Sequence, residues 1–328
     1  METFQRLWRN EYFKTVITII LIIAIVFGFW LGFQAALGTE YPALAVASTS
    51  MLPTLNVGDL IIVQHVDPAY LNANYTTGDI VVFKHPVTGK LIVHRAVKKE
   101  LRNDVYWITT HGDNNPPGAD ENFPEQNLVG KVIVKIPFVG NFALLLHSQG
   151  NVYLLIFLII LIFIIILTFP FTTEDESEPV KEEKQTEKRK RLFGKIDVKT
   201  VYVLILNLLI ISFAIFSLWG AFTFWQPGAD PPQAVTIRGM YPDLQYHESF
   251  KNSHNYVNGT ILSQGFLTYK IDDCLLNGSV RQGVPTFSWL QFSILVLCIV
   301  DVWTLFDYLM ERRETEQQEV LSEPKALY

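Results

Sequence analysis

The candidates for covalent chemistry in this sequence are Ser50, three histidines that follow it, and two carboxylates. A serine hydroxyl attacks a carbonyl only when a base removes its proton, and histidine has the ordinary pKa nearest neutrality. Ser50 is followed along the chain by His94, Asp113 and Asp120. A serine, a histidine and an acid that meet in space could carry out acyl transfer. Taken alone, the run around Ser50, residues 48–55, predicts only a solvated loop, because Ser and Pro in succession usually mark one.

Four short motifs follow one another in order, directly after an apolar segment. They are the runs STSMLPTL at 48–55, GDIVVF at 78–83, IVHRAV at 92–97 and HGDNN at 111–115. In this order the set resembles the type I signal peptidase family, over roughly residues 40–140. The resemblance implies a membrane-bound serine endopeptidase that removes signal peptides from secreted precursors, with Ser50 as its nucleophile.

The resemblance also implies which base is used. Bacterial-type members carry Lys followed by Arg where this chain has His94 and Arg95, so the chain resembles the archaeal and endoplasmic-reticulum branch. Ser50 would attack the scissile carbonyl, and His94 would take its proton and later return it to the leaving amine. His85 and His111 lie in the same stretch and are the alternative bases. Position within the motif favours His94.

A carboxylate should orient the His94 imidazole, and two are available. The family places its acid six residues after the Asp of the fourth motif, where this chain has Ala119. Asp120 follows directly, and the Pro-Pro-Gly run before Ala119 could accommodate a one-residue insertion. We therefore predict Asp120 as the triad acid and Asp113 as a supporting group, with the choice between the two left open.

Two further predictions concern the oxyanion and the substrate. In related enzymes a hydroxyl two positions before the nucleophile, here Ser48, helps the serine N–H to hold the oxyanion. The alternative for Ser48 is ordinary strand polarity. Small side chains at the first and third positions before the cut would need shallow apolar walls. The candidates, chosen for adjacency to Ser50 and His94, are Val46, Met51, Ile92 and Val93.

Four apolar blocks predict membrane spans, at residues 15–37, 152–169, 201–225 and 287–308. The first could be a cleaved signal peptide, but such peptides have apolar cores of only about 7–15 residues. The second could be a buried core helix, although its unbroken Leu, Ile and Phe run favours a span. Asp301 in the fourth block is expected to pair with a polar group such as Asn207, because a charge in lipid usually finds a partner. The alternative is that it lies near an interface and snorkels.

Charge predicts the orientation of these spans. Residues 172–200 carry eight Lys or Arg and join the second and third blocks, so this linker and both termini should be cytoplasmic. Residues 39–150 and about 226–286 would then lie outside. The three N-x-S/T sequons begin at Asn74, Asn258 and Asn277, all within the segments assigned to the outside.

Turn residues and short runs of β-formers predict a mostly β, signal-peptidase-like catalytic domain at residues 39–150, between transmembrane helices. Its strands are expected at 43–47, 60–64, 80–83, 91–97, 105–109 and 128–136. Residues 226–286 should form a second small extracytoplasmic domain, β-rich and of unassigned role. It could be a recruiting module or a passive lid, with strands at 234–237, 259–262 and 265–271.

No His, Cys and Asp spacing indicates a metal and no Gly-rich loop indicates phosphate binding, so no cofactor is expected. Cys274 and Cys298 imply no disulfide framework. The expected partners are signal-peptide-bearing precursors, membrane lipid and the protein translocation channel, with no nucleic acid. The expected location is the archaeal cell membrane with the active site outside, or alternatively the endoplasmic reticulum with a lumenal site. A processing peptidase with a narrow substrate set, and a non-enzymatic relic, are the competing functions.

Overall fold

The computed structural model describes residues 11–147, 191–192, 196–226, 233–250 and 256–322. The second predicted span, at 152–169, lies outside these residues, as does most of the charged linker. The chain divides into two compact units. The first comprises Met1–Leu144, Tyr246–Leu262 and Lys270–Phe287, and the second comprises Leu145–Gln245, Ser263–Tyr269 and Ser288–Tyr328.

The first unit begins with helix α1, Glu11–Leu37. The helix ends at Gly38, whose φ of +65° is the left-handed conformation that glycine adopts without steric cost. The backbone N–H of His65 then donates to the Leu37 carbonyl at 2.8 Å. This bond ties the end of the apolar helix to the residue that directly follows a strand of the sheet.

Seven strands of a single sheet follow α1. They are β1 (Ala43–Ala45), β2 (Leu60–Gln64), β3 (Ile80–Lys84), β4 (Leu91–Arg102), β5 (Val105–His111), β6 (Asp120–Pro124) and β7 (Leu128–Ile136). The path β7-β3-β4-β5-β6 is antiparallel throughout, β2 pairs with β7, and β1 pairs with β2. All six predicted strands are confirmed, with β4 extending beyond its predicted end. The sequence did not predict β6, because its run Asp-Glu-Asn-Phe-Pro is poor in β-formers.

Strands from far along the chain join the same sheet, which has eleven strands among the described residues. They are β12 (Tyr256–Gly265), β13 (Thr268–Leu275), β14 (Val280–Arg281) and β15 (Thr286–Phe287). Strand β14 pairs with β13, and β15 runs parallel to β7 with Thr286 opposite Lys135. The strand content expected of residues 226–286 is present. The separate small domain expected there is not confirmed, because this segment adds strands to the catalytic sheet.

Two apolar clusters form the core of this unit. The larger contains Met51 and Leu55, both 0% exposed, together with Val284 from the distant segment. The second lies around Phe83 and Phe123, whose rings stack with centroids 4.0 Å apart. Helix α2, Gly140–His147, follows β7.

The second unit contains two long helices, α3 (Val198–Trp219) and α5 (Trp289–Ser322), and the hairpin of β10 (Ala221–Gln226) and β11 (Gln233–Arg238). A short pair, β8 (Arg191–Leu192) and β9 (Ile196–Asp197), precedes α3, and α4 spans Met240–Ser249. The prediction that the third apolar block is helical to about residue 225 is wrong, since the helix ends at Trp219 and β10 begins at Ala221.

Among the residues that the structure describes, three helical segments are long and apolar enough to cross a membrane: Val16–Leu37, Lys199–Trp219 and Trp289–Arg313. The predicted partner of Asp301 is confirmed, because Asn207 Nδ2 donates to Asp301 Oδ1 at 2.7 Å. Lys199 on α3 forms ion pairs with Asp307 and Glu311 on α5.

Candidate active site

Ser50 lies in the loop between β1 and β2, and this loop packs against the apolar core. The Leu55 N–H donates to the Met51 carbonyl at 2.9 Å, and both side chains are fully buried. Their burial anchors the loop while Ser50 itself stays half-buried. The Ser50 hydroxyl is thereby held at the surface, next to buried apolar side chains.

Strand β4 carries His94 to this hydroxyl. His94 Nε2 lies 3.1 Å from Ser50 Oγ, which is within hydrogen-bond reach of a base to its nucleophile. Ser48 Oγ lies 3.2 Å from Ser50 Oγ. The two serines and the histidine singled out in the sequence are therefore brought together.

The His94 imidazole is 4% exposed. Burial, reinforced by the charge of His111, lowers its pKa to about 4, against the opposing influence of Asp113. At neutral pH the ring is uncharged and can accept a proton. Its second nitrogen, Nδ1, is buried, has no hydrogen-bond partner among the described residues, and lies 3.9 Å from Glu121 Oε2.

Asp113 forms a buried ion pair with Arg95. The guanidinium donates from Nε to Oδ1 and from Nη2 to Oδ2, both at 2.8 Å, and Thr54 Oγ1 donates to Oδ2 at 2.5 Å. Burial alone would raise the pKa of Asp113, but the charge and hydrogen bonds of Arg95 hold it below its usual range. These partners occupy both carboxylate oxygens, and the supporting role of Asp113 stays a prediction.

Arg95 also donates hydrogen bonds to backbone carbonyl groups from distant parts of the chain. Its Nη1 donates to the Gly78 carbonyl and its Nη2 donates to the Gln282 carbonyl, each at 3.0 Å. One buried side chain thus links the second motif, the fourth motif and the segment before β15. Buried charges of this kind are tolerated only when their hydrogen bonds are satisfied.

The loop of the fourth motif holds the backbone of the nucleophile. The Asn114 N–H donates to the Ser50 carbonyl at 2.8 Å, and Asn114 Nδ2 donates to the Thr49 carbonyl at 2.9 Å. Gly112 approaches so closely that a Cβ there would lie 2.8 Å from the Ser50 carbonyl oxygen. The position of Ser50 therefore depends on this loop.

The contacts of Asp120 are with His111 and Tyr75. Its Oδ1 is 2.7 Å from His111 Nδ1, and its Oδ2 accepts from the Tyr75 hydroxyl at 3.1 Å. Among the described residues no hydrogen bond joins Asp120 to His94. The role of Asp120 as triad acid stays a prediction, and the structure brings it to a different histidine.

The predicted substrate walls divide into two pairs. Val46 and Met51 are 2% and 0% exposed, so in this structure they belong to the core and present no open surface. Ile92 and Val93 are half-buried beside His94 and remain the accessible candidates. Substrate contact by any of the four stays a prediction.

The alternative base is His85. Its Nδ1 accepts hydrogen bonds from the backbone N–H groups of Val87 and Thr88, and so His85 stabilises the turn in which it lies. Within the described ranges, no group of three His, Cys, Asp or Glu side chains is placed to hold a metal ion. Sequence reasoning gave no role to Arg95, Thr54, Asn114 or Glu121. The available signal was an Arg flanked by apolar residues in the run 91–97, since a buried guanidinium requires an acid.

Comparison with known proteins agrees with this geometry. The sequence model of the family "Signal peptidase, peptidase S26" matches residues 9–104. The chain is 32% identical over 140 residues to the signal peptidase complex catalytic subunit SEC11 of Metarhizium acridum, covering 39% of this chain and 77% of that protein. It is 29% identical over 171 residues to the corresponding subunit of Dictyostelium discoideum, covering 48% of this chain and 89% of that protein.

Proposed function

The chain belongs to the signal peptidase family, peptidase S26, and is a serine endopeptidase; from that premise we propose that it removes signal peptides by Ser-His catalysis. The observation that carries the proposal is the 3.1 Å approach of His94 Nε2 to Ser50 Oγ. A neutral, buried imidazole beside a half-buried hydroxyl is the arrangement that activates a serine nucleophile.

In the proposed mechanism Ser50 Oγ attacks the carbonyl before the scissile bond while His94 Nε2 takes the hydroxyl proton. His94 then returns this proton to the leaving amine as the C–N bond breaks, and water repeats the sequence to release the acyl group. The Ser50 N–H and the Ser48 hydroxyl are proposed to hold the oxyanion, since donors that face the developing charge lower the barrier. Arg95 and Asp113 keep the loop in place without touching the substrate.

The proposed substrates are precursors that carry signal peptides, cut after small residues at the first and third positions before the scissile bond. The half-buried Ile92, two residues before His94 on the same face of β4, supports an apolar wall close to His94. Apolar helix α1, joined to the sheet through His65, supports an enzyme held at the membrane surface, where the cleavage site of a membrane-embedded signal peptide emerges. Attachment raises the effective concentration of substrate.

We propose that the active site faces away from the cytoplasm, as the distribution of Lys and Arg predicts. The relatives described above come from eukaryotes, so the archaeal membrane stays a prediction, as does contact with a translocation channel. Those relatives are catalytic subunits of a signal peptidase complex. Assembly of this chain into a complex is likewise a proposal.

The test is cleavage of a signal-peptide-bearing precursor by the full chain in lipid nanodiscs, with product ends mapped by mass spectrometry. We expect Ser50→Ala and His94→Ala to lose cleavage, because acylation needs both the hydroxyl and the base. His85→Ala is the control, and it should cleave at close to the wild-type rate. Turnover by Ser50→Ala, or loss in His85→Ala with activity kept in His94→Ala, would contradict the assignment.

A further inference from the structure

Two buried polar atoms beside the nucleophile face each other without hydrogen-bond partners. His94 Nδ1 and Glu121 Oε2 are both unpartnered among the described residues, and they lie 3.9 Å apart. Buried polar atoms are nearly always hydrogen-bonded, so an unpartnered pair this close requires an explanation. One atom is the ring nitrogen that must carry a proton if Nε2 is to accept from Ser50, and the other is a carboxylate oxygen that can only accept when ionised.

Sheet register places these two residues on the same face. Ala96 on β4 lies opposite Thr110 on β5, which lies opposite Glu121 on β6. Residues directly opposite in an antiparallel pair point to the same face, and residues two apart along a strand share a face. His94 is two residues before Ala96, so His94 and Glu121 share one face.

The same register puts Asp120 on the other face. Arg95 lies opposite His111, and His111 lies opposite Asp120. This explains why the Asp120 carboxylate meets His111, at 2.7 Å, rather than His94. A shift of one residue along a strand reverses the face, so Asp120 and Glu121 cannot exchange roles without a change of register.

We propose that Glu121 is the positioning residue that accepts a hydrogen bond from His94 Nδ1 and so fixes the tautomer whose Nε2 is free to take the Ser50 proton. The inference rests on the proposed Ser-His function. The proton balance is simple: the Ser50 hydroxyl proton moves to Nε2 as the Oγ–carbonyl bond forms, and the Nδ1 proton stays on the ring. The Glu121 carboxylate remains ionised and stabilises the imidazolium.

The distance in the free enzyme is longer than a hydrogen bond. The Glu121 side chain is 35% exposed, and a shift of roughly 1 Å would bring its Oε2 to a typical length of about 2.8 Å from Nδ1. Catalytic hydrogen bonds are often long in free enzymes and tighten when substrate binds. Substrate that covers the site would also exclude water and strengthen the attraction between imidazolium and carboxylate.

The other carboxylates around His94 already have hydrogen-bond partners, so Glu121 is the one that can accept from His94 Nδ1. Asp113 is saturated by Arg95 and Thr54, and Asp120 by His111 and Tyr75. His111 opposes a positive charge on His94, while Asp113 favours one. Of the carboxylates described near His94, Glu121 is the one with a buried, unpartnered oxygen that faces the ring.

The test compares two neighbouring variants in the full chain, Glu121→Gln and Asp120→Asn. Both remove one charge and keep the shape, but they lie on opposite faces of β6. We expect Glu121→Gln to lower kcat by about 10²–10⁴-fold, because an amide NH₂ can donate to Nδ1 and favour the wrong tautomer. Glu121→Asp should retain an intermediate rate. Asp120→Asn removes the partner of His111, so it should lower kcat by much less than Glu121→Gln does.

Two further readouts separate positioning from a structural role. The acidic limb of kcat/KM should move to lower pH in Glu121→Gln, because a negative charge near the imidazolium is lost. Histidine ¹⁵N NMR of the full chain in nanodiscs, with His94→Gln to assign the signal, should show the Nδ1–H tautomer in wild type and the Nε2–H tautomer in Glu121→Gln. Thermal unfolding midpoints should be unchanged.

An unchanged tautomer and rate in Glu121→Gln would overturn the proposal. A large loss in Asp120→Asn with little change in Glu121→Gln would overturn it in favour of Asp120. If the wild-type chain cleaves no precursor while the tautomer still follows Glu121, the proposed function fails and the positioning role stands. The NMR measurement therefore keeps the two conclusions distinguishable.

Discussion

At the scale of single residues, the burial of His94 determines how this site can work. A desolvated imidazole is neutral over most of the pH range, so the base is ready to accept without first losing a proton. The cost is that the imidazolium formed during catalysis is less stable than it would be in water. That cost is offset only if a carboxylate faces the ring, and this gives Glu121 its significance.

The pH dependence of cleavage follows from the lowered pKa of His94. A protonated imidazole cannot take the Ser50 proton, so kcat/KM falls as pH drops through the pKa of His94 in the free enzyme. With that pKa at about 4, the acidic limb should lie well below the ordinary histidine value of 6.5. The measurement is kcat/KM for precursor cleavage across the acidic range, and a limb near 6.5 would indicate a different, exposed base.

Stability must be followed in the same experiment. The unfolded chain binds a proton on His94 below about pH 6.5, whereas the folded chain does so only near pH 4, so the free energy of unfolding falls as pH drops between these values. Unfolding recorded at each pH separates loss of structure from loss of the base.

The Arg95–Asp113 pair should matter for stability more than for chemistry. Asp113→Asn leaves the buried guanidinium without its charge partner, which we expect to cost about 3–5 kcal/mol of unfolding free energy. Thermal or denaturant unfolding measures this, with Asp104→Asn in the exposed β4–β5 turn as the control, expected within about 0.5 kcal/mol of wild type. Full stability in Asp113→Asn, together with lost cleavage, would instead indicate a direct catalytic role for Asp113.

At the scale of elements, the site is built on several strands, and the sequence predicts some of them but not others. Strands β2, β3 and β4 are predicted because β-branched and apolar residues run between turn signals. Strand β6 is mostly polar, and Phe123 alone anchors it in the core. Because β6 was missed, the face on which Asp120 or Glu121 lies could not be worked out, and family spacing alone suggested Asp120.

Ser50 and His94 could be assigned from the sequence because each lies inside a short motif of distinctive composition. The residues that contact Ser50 and His94 could not be assigned from the sequence, because strand pairing across the sheet determines which residues these are. The contact of Arg95 with the Gln282 carbonyl joins residues with no local pattern in common. Long-range strand pairing leaves no periodic signal within a window of a dozen residues.

The loop of the fourth motif offers a test at this scale. Gly112→Ala would place a methyl group 2.8 Å from the Ser50 carbonyl oxygen and 2.7 Å from Asn115 Nδ2, closer than such contacts allow. The carbonyl can retreat only by moving Ser50, so we expect kcat to fall by about 10²-fold, as for a displacement near 1 Å. The measurement is precursor cleavage at saturating substrate.

The control for this variant is Gly32→Ala in α1, where a Cβ would meet nothing within 4 Å. Alanine also favours a helix over glycine, so this variant should cleave at the wild-type rate. Equal rates for Gly112→Ala and wild type would mean that the fourth motif does not position the nucleophile.

At the scale of the whole molecule, the later half of the chain completes the peptidase unit. Two relatives match 48% and 39% of this chain, and the family model matches residues 9–104. Yet β15 pairs with β7, the Gln282 carbonyl binds Arg95, and the Gln282 N–H donates to the Thr76 carbonyl at 2.8 Å. The first unit of this protein is therefore built from the segment up to Leu144 and from two later segments, Tyr246–Leu262 and Lys270–Phe287.

Val284 provides the last prediction. Its side chain is 5% exposed and lies in the same cluster as Met51, the residue after the nucleophile, although it comes from the far end of the chain. Val284→Ala should lower the free energy of unfolding of the peptidase unit by about 1–3 kcal/mol, through lost burial and the cavity left behind. Val87→Ala is the matched control, because Val87 is 88% exposed and should change stability by less than about 0.5 kcal/mol. Denaturant unfolding of the full chain measures both. Equal stability of the two variants would mean that the distant segment packs on the unit without stabilising it. The expected difference in stability, accompanied by weaker cleavage, would mean that the later half of the chain stabilises the Ser50 loop.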